Sequence, residues 1–350
     1  MLQSPWGSAR IARTDRLSDD AQHSLIHVER EVSGDAAPMQ RWPPRRGRFQ
    51  SMKPETLARL RLFLLTALVG LSAACAGSQG PGGSSAKVRV AVSISPLADF
   101  VRQVGGDRLE VELMVPPGAS VEIYEPTPRQ IQFVSQARVL VLNGLGLEFW
   151  ADNVTRGSGN SNLLVVDTSE GLKGLIKSGE GGGSNPHIWL DPTKARVQVE
   201  HVRDALTRVD PAGTEEYRTR AANFIDQLNV LDRDLADRIK TWRYKQFIAF
   251  HPAWLYFAEH YGLEQVASIE EFPGKEPSPQ YLAQVSSLAR SLNAKAIFAE
   301  PGLSPRAAQA IASEAGKEVL ILDDLGGVQG RASYLELMRY NVDQIEKALK

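Results

Sequence analysis

The sequence predicts an α/β protein with two lobes, each built on a parallel sheet, joined by one long rigid helix. Two observations predict this class. Short β-branched segments alternate with helical segments in both halves of residues 88–350, which is typical of parallel sheets covered by helices. Between the halves, apolar residues recur in steps of three and four from Thr214 to Trp242, which indicates a single amphipathic helix.

The N-terminal lobe is predicted over residues 88–213. Its first strand is short and β-branched and ends before Pro96, and a Pro-Pro-Gly turn stops its second strand after Val115. Pro128 suits the first turn of a helix. In chain order, the predicted elements are strand 88–94, helix 96–104, strand 109–115, helix 127–136, strand 139–143, strand 163–167 and helix 192–208.

The long helix is predicted over residues 214–242, within a linking segment 214–243. Its apolar stripe consists of Tyr217, Ala221, Phe224, Leu228, Leu231, Leu235 and Ile239. At 1.5 Å per residue the helix is about 43 Å long, enough to run the length of a two-lobed protein. The simpler alternative is an ordinary packing helix.

The C-terminal lobe is predicted over residues 244–350. Its first strand ends at His251, and Gly262 closes the helix that follows. In chain order, the predicted elements are strand 247–250, helix 253–261, helix 279–292, strand 296–299, helix 305–315, strand 319–322 and helix 333–349.

Length, net charge and cysteine count limit the classes of function that the chain can have. A chain of 350 residues can hold two domains, and its net charge of −1 gives no indication of a nucleic-acid partner or of a strongly charged one. Cys75 is the only cysteine, so a disulfide within the chain and a cysteine-based zinc site are both excluded.

The position of Cys75 predicts its role. A basic segment beginning at Met52 precedes an apolar run over 62–71, which is typical of a secretory signal and too short for a comfortable membrane span. The segment resembles a bacterial lipoprotein signal, in which Cys75 becomes the lipidated first residue; an ordinary cleaved signal or a short anchor are the alternatives. We therefore expect a misassigned start or a disordered extension over 1–51, a signal peptide over 52–75 and a flexible tether over 76–87.

Four potential metal ligands lie beside turns or strand ends, namely Glu122, His187, His251 and Asp323. Two imidazoles and two carboxylates can hold one divalent transition metal. Their spacing is too wide for a zinc finger, and parallel sheets place ligands beyond the carboxyl ends of their strands. We therefore expect the folded lobes to bring the four together at the lobe interface, in a protein that captures a metal.

Five segments together resemble the zinc/manganese solute-binding proteins of bacterial ABC transporters, and the resemblance covers about residues 88–350. The segments are Pro117–Pro128, Asn185–Pro192, Glu276–Pro279, Phe298–Pro301 and Leu322–Gly327. The resemblance implies two α/β lobes joined by one long helix, with one metal between them. It also implies a monomeric extracytoplasmic protein, lipid-anchored through Cys75, that delivers the metal to an ABC permease driven by its ATPase.

The resemblance also assigns the site residues. His187, His251 and Asp323 match the second, third and fourth family ligands, with Asp324 as the rival of Asp323. Glu122 stands where the family usually has histidine, and Glu125 is a weaker substitute for it. Glu300 is a candidate for orienting one of the two histidines through a hydrogen bond. The histidine-rich loop of many zinc-specific members is missing, because residues 172–184 contain no histidine.

These residues leave the metal open between Zn²⁺ and Mn²⁺, with Fe²⁺ also compatible. Binding should weaken below about pH 6.5, where free imidazoles take up protons. We expect no enzymatic activity. The rival functions are a secreted metalloenzyme that uses Glu122 or Glu300 as a base, and a metal-binding surface adhesin on the same fold.

Overall fold

The first sheet contains four parallel strands in the order β2-β1-β3-β4. The strands are β1 (Val88–Val92), β2 (Leu109–Leu113), β3 (Val139–Leu142) and β4 (Leu164–Asp167). The computed structural model describes residues 86–178, 183–271 and 275–350, so the predicted leader, the signal peptide and Cys75 lie outside the described residues. Within them, the predicted parallel sheet of the first lobe is confirmed.

The helices of this lobe are α1 (Ser95–Gly105), α2 (Pro128–Val134), α3 (Ala151–Ser158) and α4 (Pro192–Val209). The α2 helix begins with a capping box, in which Thr127 accepts from the Gln130 N–H and the Gln130 side chain reaches back to the Thr127 backbone. This start fixes the loop between β2 and α2, which carries Glu122. The α3 helix was not predicted, because its eight residues are mostly polar and Val154 is the only one that is buried.

The long helix is α5 (Thr214–Ile239), and all seven residues of its predicted apolar stripe are buried. At 1.5 Å per residue, its 26 residues span about 39 Å. It packs against α1 and α4 of the first lobe and against the C-terminal helix, so it connects both lobes. It ends before the predicted Trp242 in a tighter turn, in which the Thr241 and Trp242 N–H groups donate to carbonyls three residues back. The Ile239 carbonyl also accepts from the Lys245 ammonium.

The second lobe contains two parallel strand pairs, with β5 packed beside β7. The strands are β5 (Gln246–Ala249), β6 (Glu264–Ser268), β7 (Ala296–Ala299) and β8 (Glu318–Ile321), and the helices are α6 (Leu255–Tyr261), α7 (Pro279–Ser291), α8 (Arg306–Ala315) and α9 (Tyr334–Leu349). The β6 strand was not predicted, because it pairs with β5 alone and carries Glu264 and Gln265 in place of an apolar run.

The core explains why β5 and β7 are rigid supports. Phe247 and Ala249 on β5 belong to a large cluster that continues along α5 into the first lobe. Ile248 points to the other side of the strand, into a smaller cluster of the second lobe. Both strands are therefore buried on both faces, and the loops that leave their carboxyl ends are firmly positioned. Among the described residues, no helix combines the length and apolarity needed to span a membrane.

Candidate metal centre

Glu122 is carried by a short 3₁₀ turn, Val121–Ile123, in the loop between β2 and α2. Val121 is buried and anchors the turn. The two carboxylate oxygens of Glu122 have different surroundings. Oε2 accepts a hydrogen bond of 2.6 Å from the Ser120 hydroxyl, while Oε1 is buried without a hydrogen-bond partner. A buried carboxylate oxygen without a partner is costly, so Oε1 is placed to bind something else.

His187 begins a second 3₁₀ turn, Ile188–Leu190, whose three residues are all buried. Asn185 orients the imidazole, because its Oδ1 lies 3.0 Å from both the backbone nitrogen and the Nδ1 of His187. Nδ1 therefore donates, which leaves Nε2 free to act as a ligand. The amide nitrogen of Asn185 donates to the Pro252 carbonyl at 2.6 Å, so the same residue ties His187 to the second lobe.

His251 follows the end of β5 and precedes Pro252. Its Nδ1 donates in a short contact to Oε2 of Glu300, which directly follows β7. Nε2 again faces away from this partner. The sequence predicts that Glu300 orients one of the two histidines. In the structure, the histidine that it contacts is His251.

The three side chains converge at the interface of the two lobes. The two Nε2 atoms lie 3.0 Å apart, and Oε1 of Glu122 lies 3.5 Å from Nε2 of His187 and 3.8 Å from that of His251. Such separations suit ligands around one ion with bonds of about 2.0–2.2 Å. Within the described ranges, Glu122, His187 and His251 are the group of acidic and imidazole side chains close enough to hold a metal.

The fold keeps the two lobes close around this group. Gly302, two residues after Glu300, adopts a φ of +78°, and a Cβ there would lie 2.4 Å from the Gly118 carbonyl oxygen. Only glycine allows this approach of the turn after β7 to the loop that carries Glu122. Beside Glu122, a cavity of about 410 Å³ is lined by Leu147, Phe149 and Pro186 among others, and provides space for an ion to reach the carboxylate.

The structure does not bring Asp323 into this group. Its Oδ1 accepts from the backbone N–H groups of Leu325 and Gly326, and its Oδ2 lies 2.8 Å from Nε of Arg331. Both oxygens are therefore engaged. The adjacent Asp324 is buried, and its charge acts on His251, whereas its backbone carbonyl accepts from Trp189.

The electrostatics of the three residues differ sharply. Burial lowers the pKa of His187 to about 4, despite its contact with Glu122. Burial also lowers the pKa of His251, but the charge of Glu300 and its hydrogen bond outweigh burial and raise it to about 9. Burial raises the pKa of Glu122, but its contacts with the two histidines and with Ser120 outweigh this and lower it to about 2.

These directions place one proton on the pair of imidazoles. At neutral pH, His251 is an imidazolium that donates from Nδ1 to Glu300 and from Nε2 to Nε2 of the neutral His187. A metal ion that binds both Nε2 atoms must displace this proton. The expected weakening of binding below about pH 6.5 therefore needs correction for His251, whose contact with Glu300 moves the proton competition up to about pH 9.

The sequence-predicted set missed two residues of the site, Ser120 and Asn185. Each stands two positions before the ligand that it contacts, a spacing at which short polar side chains often bond to nearby groups. This spacing was the available signal. It is weak by itself, because serine and asparagine are common in loops for other reasons.

The chain is similar over most of its length to known metal-binding proteins. The family model described as zinc-uptake complex component A, periplasmic, matches residues 90–348. The high-affinity zinc uptake system protein ZnuA of Bacillus subtilis is 28% identical over 82% of this chain and 97% of its own length. The manganese-binding lipoprotein MntA of Halalkalibacterium halodurans is 29% identical over 82% and 97%.

Solved structures give the same result. A ZnuA crystal structure, at 32% identity, superposes with a TM-score of 0.69 over 75% of this chain and 99% of that one. The laminin-binding protein Lmb of Streptococcus agalactiae, described as having adhesin and metal-transporting activity, gives a TM-score of 0.70 at 28% identity, over 75% and 100% of the two chains. With two α/β lobes, a connecting helix and a family match over nearly all of residues 88–350, the chain belongs to the ZnuA family of metal-binding proteins.

Proposed function

We propose that this protein captures one divalent transition metal outside the cytoplasm and delivers it to an ABC permease for uptake. The observation that carries the proposal is the Oε1 atom of Glu122, a buried carboxylate oxygen without a hydrogen bond that faces two imidazole Nε2 atoms. An ion at their centre would satisfy all three atoms at once. The location between lobes suits capture and release, because small shifts of the lobes change the ligand distances.

Glu122, His187 and His251 are the proposed protein ligands, and an aspartate from the second lobe is proposed for the fourth place. The sequence predicts Asp323 there, but Arg331 and two backbone N–H groups hold its carboxylate. Asp324 is the proposed alternative: both aspartates are buried, and Asp324 lies close enough to His251, Glu300 and Glu122 for their charges to act on it. Burial raises the pKa of Asp324 well above its usual range, and a bound cation would reverse that shift.

Variants separate the two aspartates. We expect Asp324→Asn to weaken Zn²⁺ binding more than Asp323→Asn does, in a competition titration against a chromophoric chelator. Thermal unfolding without metal controls for the loss of the Arg331 contact, which Asp323→Asn also removes. The opposite order of affinities would restore Asp323 as the ligand.

The relatives do not decide the metal. A protein described as part of a zinc uptake system, one described as manganese-binding and one described as iron-binding match this chain at 28%, 29% and 29% identity. The last is the iron-binding protein YfeA of Yersinia pestis. We propose Zn²⁺ or Mn²⁺ as the cargo, with Fe²⁺ also compatible with these ligands. Because Zn²⁺ binds most nitrogen and oxygen sites more tightly than Mn²⁺, affinity for zinc alone does not identify the cargo.

Delivery involves a membrane partner. We propose that Cys75 carries a lipid, that the monomeric protein is anchored on the outer side of the cytoplasmic membrane or in the periplasm, and that it docks on a permease driven by an ATPase. Proteins described as lipoproteins are among its relatives, which supports the anchor. Membrane fractionation tests it: Cys75→Ala should move the protein from the membrane fraction to the soluble one.

Adhesion is a second candidate function, because Lmb of Streptococcus agalactiae is described as both an adhesin and a metal transporter. A deletion strain separates the roles. A growth defect in metal-poor medium that added metal rescues supports transport, whereas lost attachment with normal metal uptake supports adhesion. We propose no enzymatic role: a metalloenzyme using Glu122 or Glu300 as base would turn over substrate, which assays of the loaded protein would detect.

Metal analysis of the purified protein is the direct test. We expect about one metal per chain. His187→Ala and His251→Ala should each remove most of it, whereas His201→Ala on α4, outside the group, should not. A different stoichiometry, or unchanged affinity in both site variants, contradicts the proposed site.

A further inference from the structure

Glu122 differs from the histidine that the family usually has, because a carboxylate can bind a metal through one oxygen or through both. The choice changes the coordination number. Two imidazoles with a single carboxylate oxygen leave a low-coordinate site, of the kind that Zn²⁺ favours. Both oxygens, with water, move the site towards the six-coordinate, oxygen-rich arrangement that suits Mn²⁺.

The side chains around Glu122 decide this choice. The Ser120 hydroxyl donates to Oε2 at 2.6 Å, a length typical of a strong hydrogen bond to a charged oxygen. Oε1 has no hydrogen-bond partner and faces Nε2 of His187 and of His251. The two oxygens thus have separate surroundings, and a metal that took both would compete with the Ser120 hydroxyl for the electron density of Oε2.

The carboxylate of Asp323, the second one predicted from sequence, also has partners on both of its oxygens. Both oxygens of Asp323 are engaged, by two backbone N–H groups and by Arg331. The two carboxylates that the sequence predicts as ligands, Glu122 and Asp323, therefore add at most one oxygen to the ion in this arrangement. Hydrogen bonds and an ion pair outside the ligand set thus keep the coordination number low, provided that Asp324 also binds through a single oxygen.

We infer that Ser120 is a positioning residue that sets metal selectivity: it holds Glu122 as a single-oxygen ligand and so favours Zn²⁺ over Mn²⁺. Ser120 is suited to this role because it is half-buried and begins the 3₁₀ turn that carries Glu122, so its hydroxyl and the carboxylate move together. The inference rests on the proposed function, because it concerns how this same site holds its metal.

The test compares affinities for Zn²⁺ and Mn²⁺, measured separately by chelator competition on the purified protein. Outer-sphere partners of metal ligands typically change affinity by about 10–100-fold. We expect Ser120→Ala to lower the preference for Zn²⁺ over Mn²⁺ by about tenfold or more. Ser120→Thr keeps the hydroxyl and should retain the wild-type ratio. Ser135→Ala, which removes a hydroxyl that bonds only to the nearby Gln132 carbonyl, is the matched control.

Cobalt provides a second readout. Co²⁺ in a four-coordinate site absorbs visible light far more strongly than in a six-coordinate site. We expect the wild type and Ser120→Thr to give the strong spectrum and Ser120→Ala to give a weaker one. A merely structural role for Ser120 would lower the amount of bound cobalt without changing the spectrum of each bound ion.

The outcomes separate this inference from the proposed function. If the wild type binds no metal, or if His187→Ala leaves binding intact, the proposed function fails. If His187→Ala abolishes binding but Ser120→Ala leaves the Zn²⁺/Mn²⁺ ratio or the cobalt spectrum unchanged, only the role of Ser120 is overturned. An equal loss of both metals, up to complete loss, also overturns it, since Ser120 would then only hold Glu122 in place.

Discussion

The proton held by His251 leads to a quantitative prediction for Glu300→Gln. Glu300 contributes the charge and the hydrogen bond that raise the pKa of His251 to about 9, against the effect of burial. Glutamine keeps the shape and can still accept from Nδ1, but it removes the charge. Burial then dominates, and the pKa of His251 should fall towards its ordinary value of about 6.5 or below.

The size of the loss in apparent metal affinity follows from the difference between the pKa of His251 and the pH of the experiment. With a pKa of about 9, His251 is almost fully protonated at pH 7, so the apparent affinity for metal should be about 100-fold below its value above pH 9. The apparent affinity for metal therefore falls as pH falls, by about tenfold per pH unit below pH 9. Below about pH 4 His187 also takes up a proton, and the slope should steepen.

The assay is calorimetric titration with Zn²⁺ at about pH 8, in buffers with different ionisation enthalpies, which counts the protons released per metal bound. We expect the wild type to release about one proton more than Glu300→Gln, because the proton of Asp324 would contribute equally in both proteins. Asp232→Asn is the matched control, because Asp232 also pairs with a histidine, His260, but outside the metal group. It should release as many protons as the wild type.

The proton count does not depend on how much Glu300→Gln changes the affinity itself, so a loss of affinity cannot imitate the expected result. Equal proton release by the wild type and Glu300→Gln would refute the assignment of the proton to the His251–Glu300 pair. Zero release by the wild type would show that His251 is already neutral at pH 8.

Three further predictions concern other parts of the molecule. Asn185→Ala should weaken Zn²⁺ binding by about 10–100-fold in chelator competition, because the imidazole two residues on loses its hydrogen-bond acceptor, and an effect under twofold would contradict this role. Leu228→Ala, in the fully buried stripe of α5, should lower the free energy of unfolding by about 2–5 kcal/mol in urea titrations, and a cost below about 1 kcal/mol would contradict tight packing there. The hydrogen bond from His260 to Asp232 raises the pKa of His260, so His260→Gln should reduce stability below about pH 6.5 and lose this effect as pH rises through the raised pKa; equal losses at about pH 5.5 and pH 9 would refute it.

Much of the fold could be predicted because its signals are local. The stripe from Tyr217 to Ile239 repeats with the period of a helix, and each of its residues is buried as expected. The central strands β1 and β3 were predictable because both faces are buried and their residues are mainly β-branched or apolar. The edge strand β6 and the short helix α3 are mostly polar and bury few residues, so their structure depends on contacts made elsewhere in the chain.

In the candidate site, too, some residues have a local sequence signal and others depend on contacts made after folding. His187 and His251 were predicted because each stands beside a proline, at a turn and at a strand end respectively, in or next to segments typical of metal ligands. The structure brings their Nε2 atoms to 3.0 Å. Asp323 could not be judged from sequence, because Arg331, which occupies one of its oxygens, contacts it only after the loop following β8 folds back. The same holds for the rival Asp324, since neighbouring residues share one sequence context but point in different directions.

The sequence by itself determined the class of the protein and the elements that carry its site. Periodicity and turn residues act over a few positions, so they can be read from the chain directly. Only the tertiary structure decided which atoms meet: Glu300 with His251, Asn185 with His187, and Ser120 with one oxygen of Glu122. Hydrogen bonds form over about 3 Å and depend on direction, so a contact between side chains from different loops is settled only when the lobes pack together.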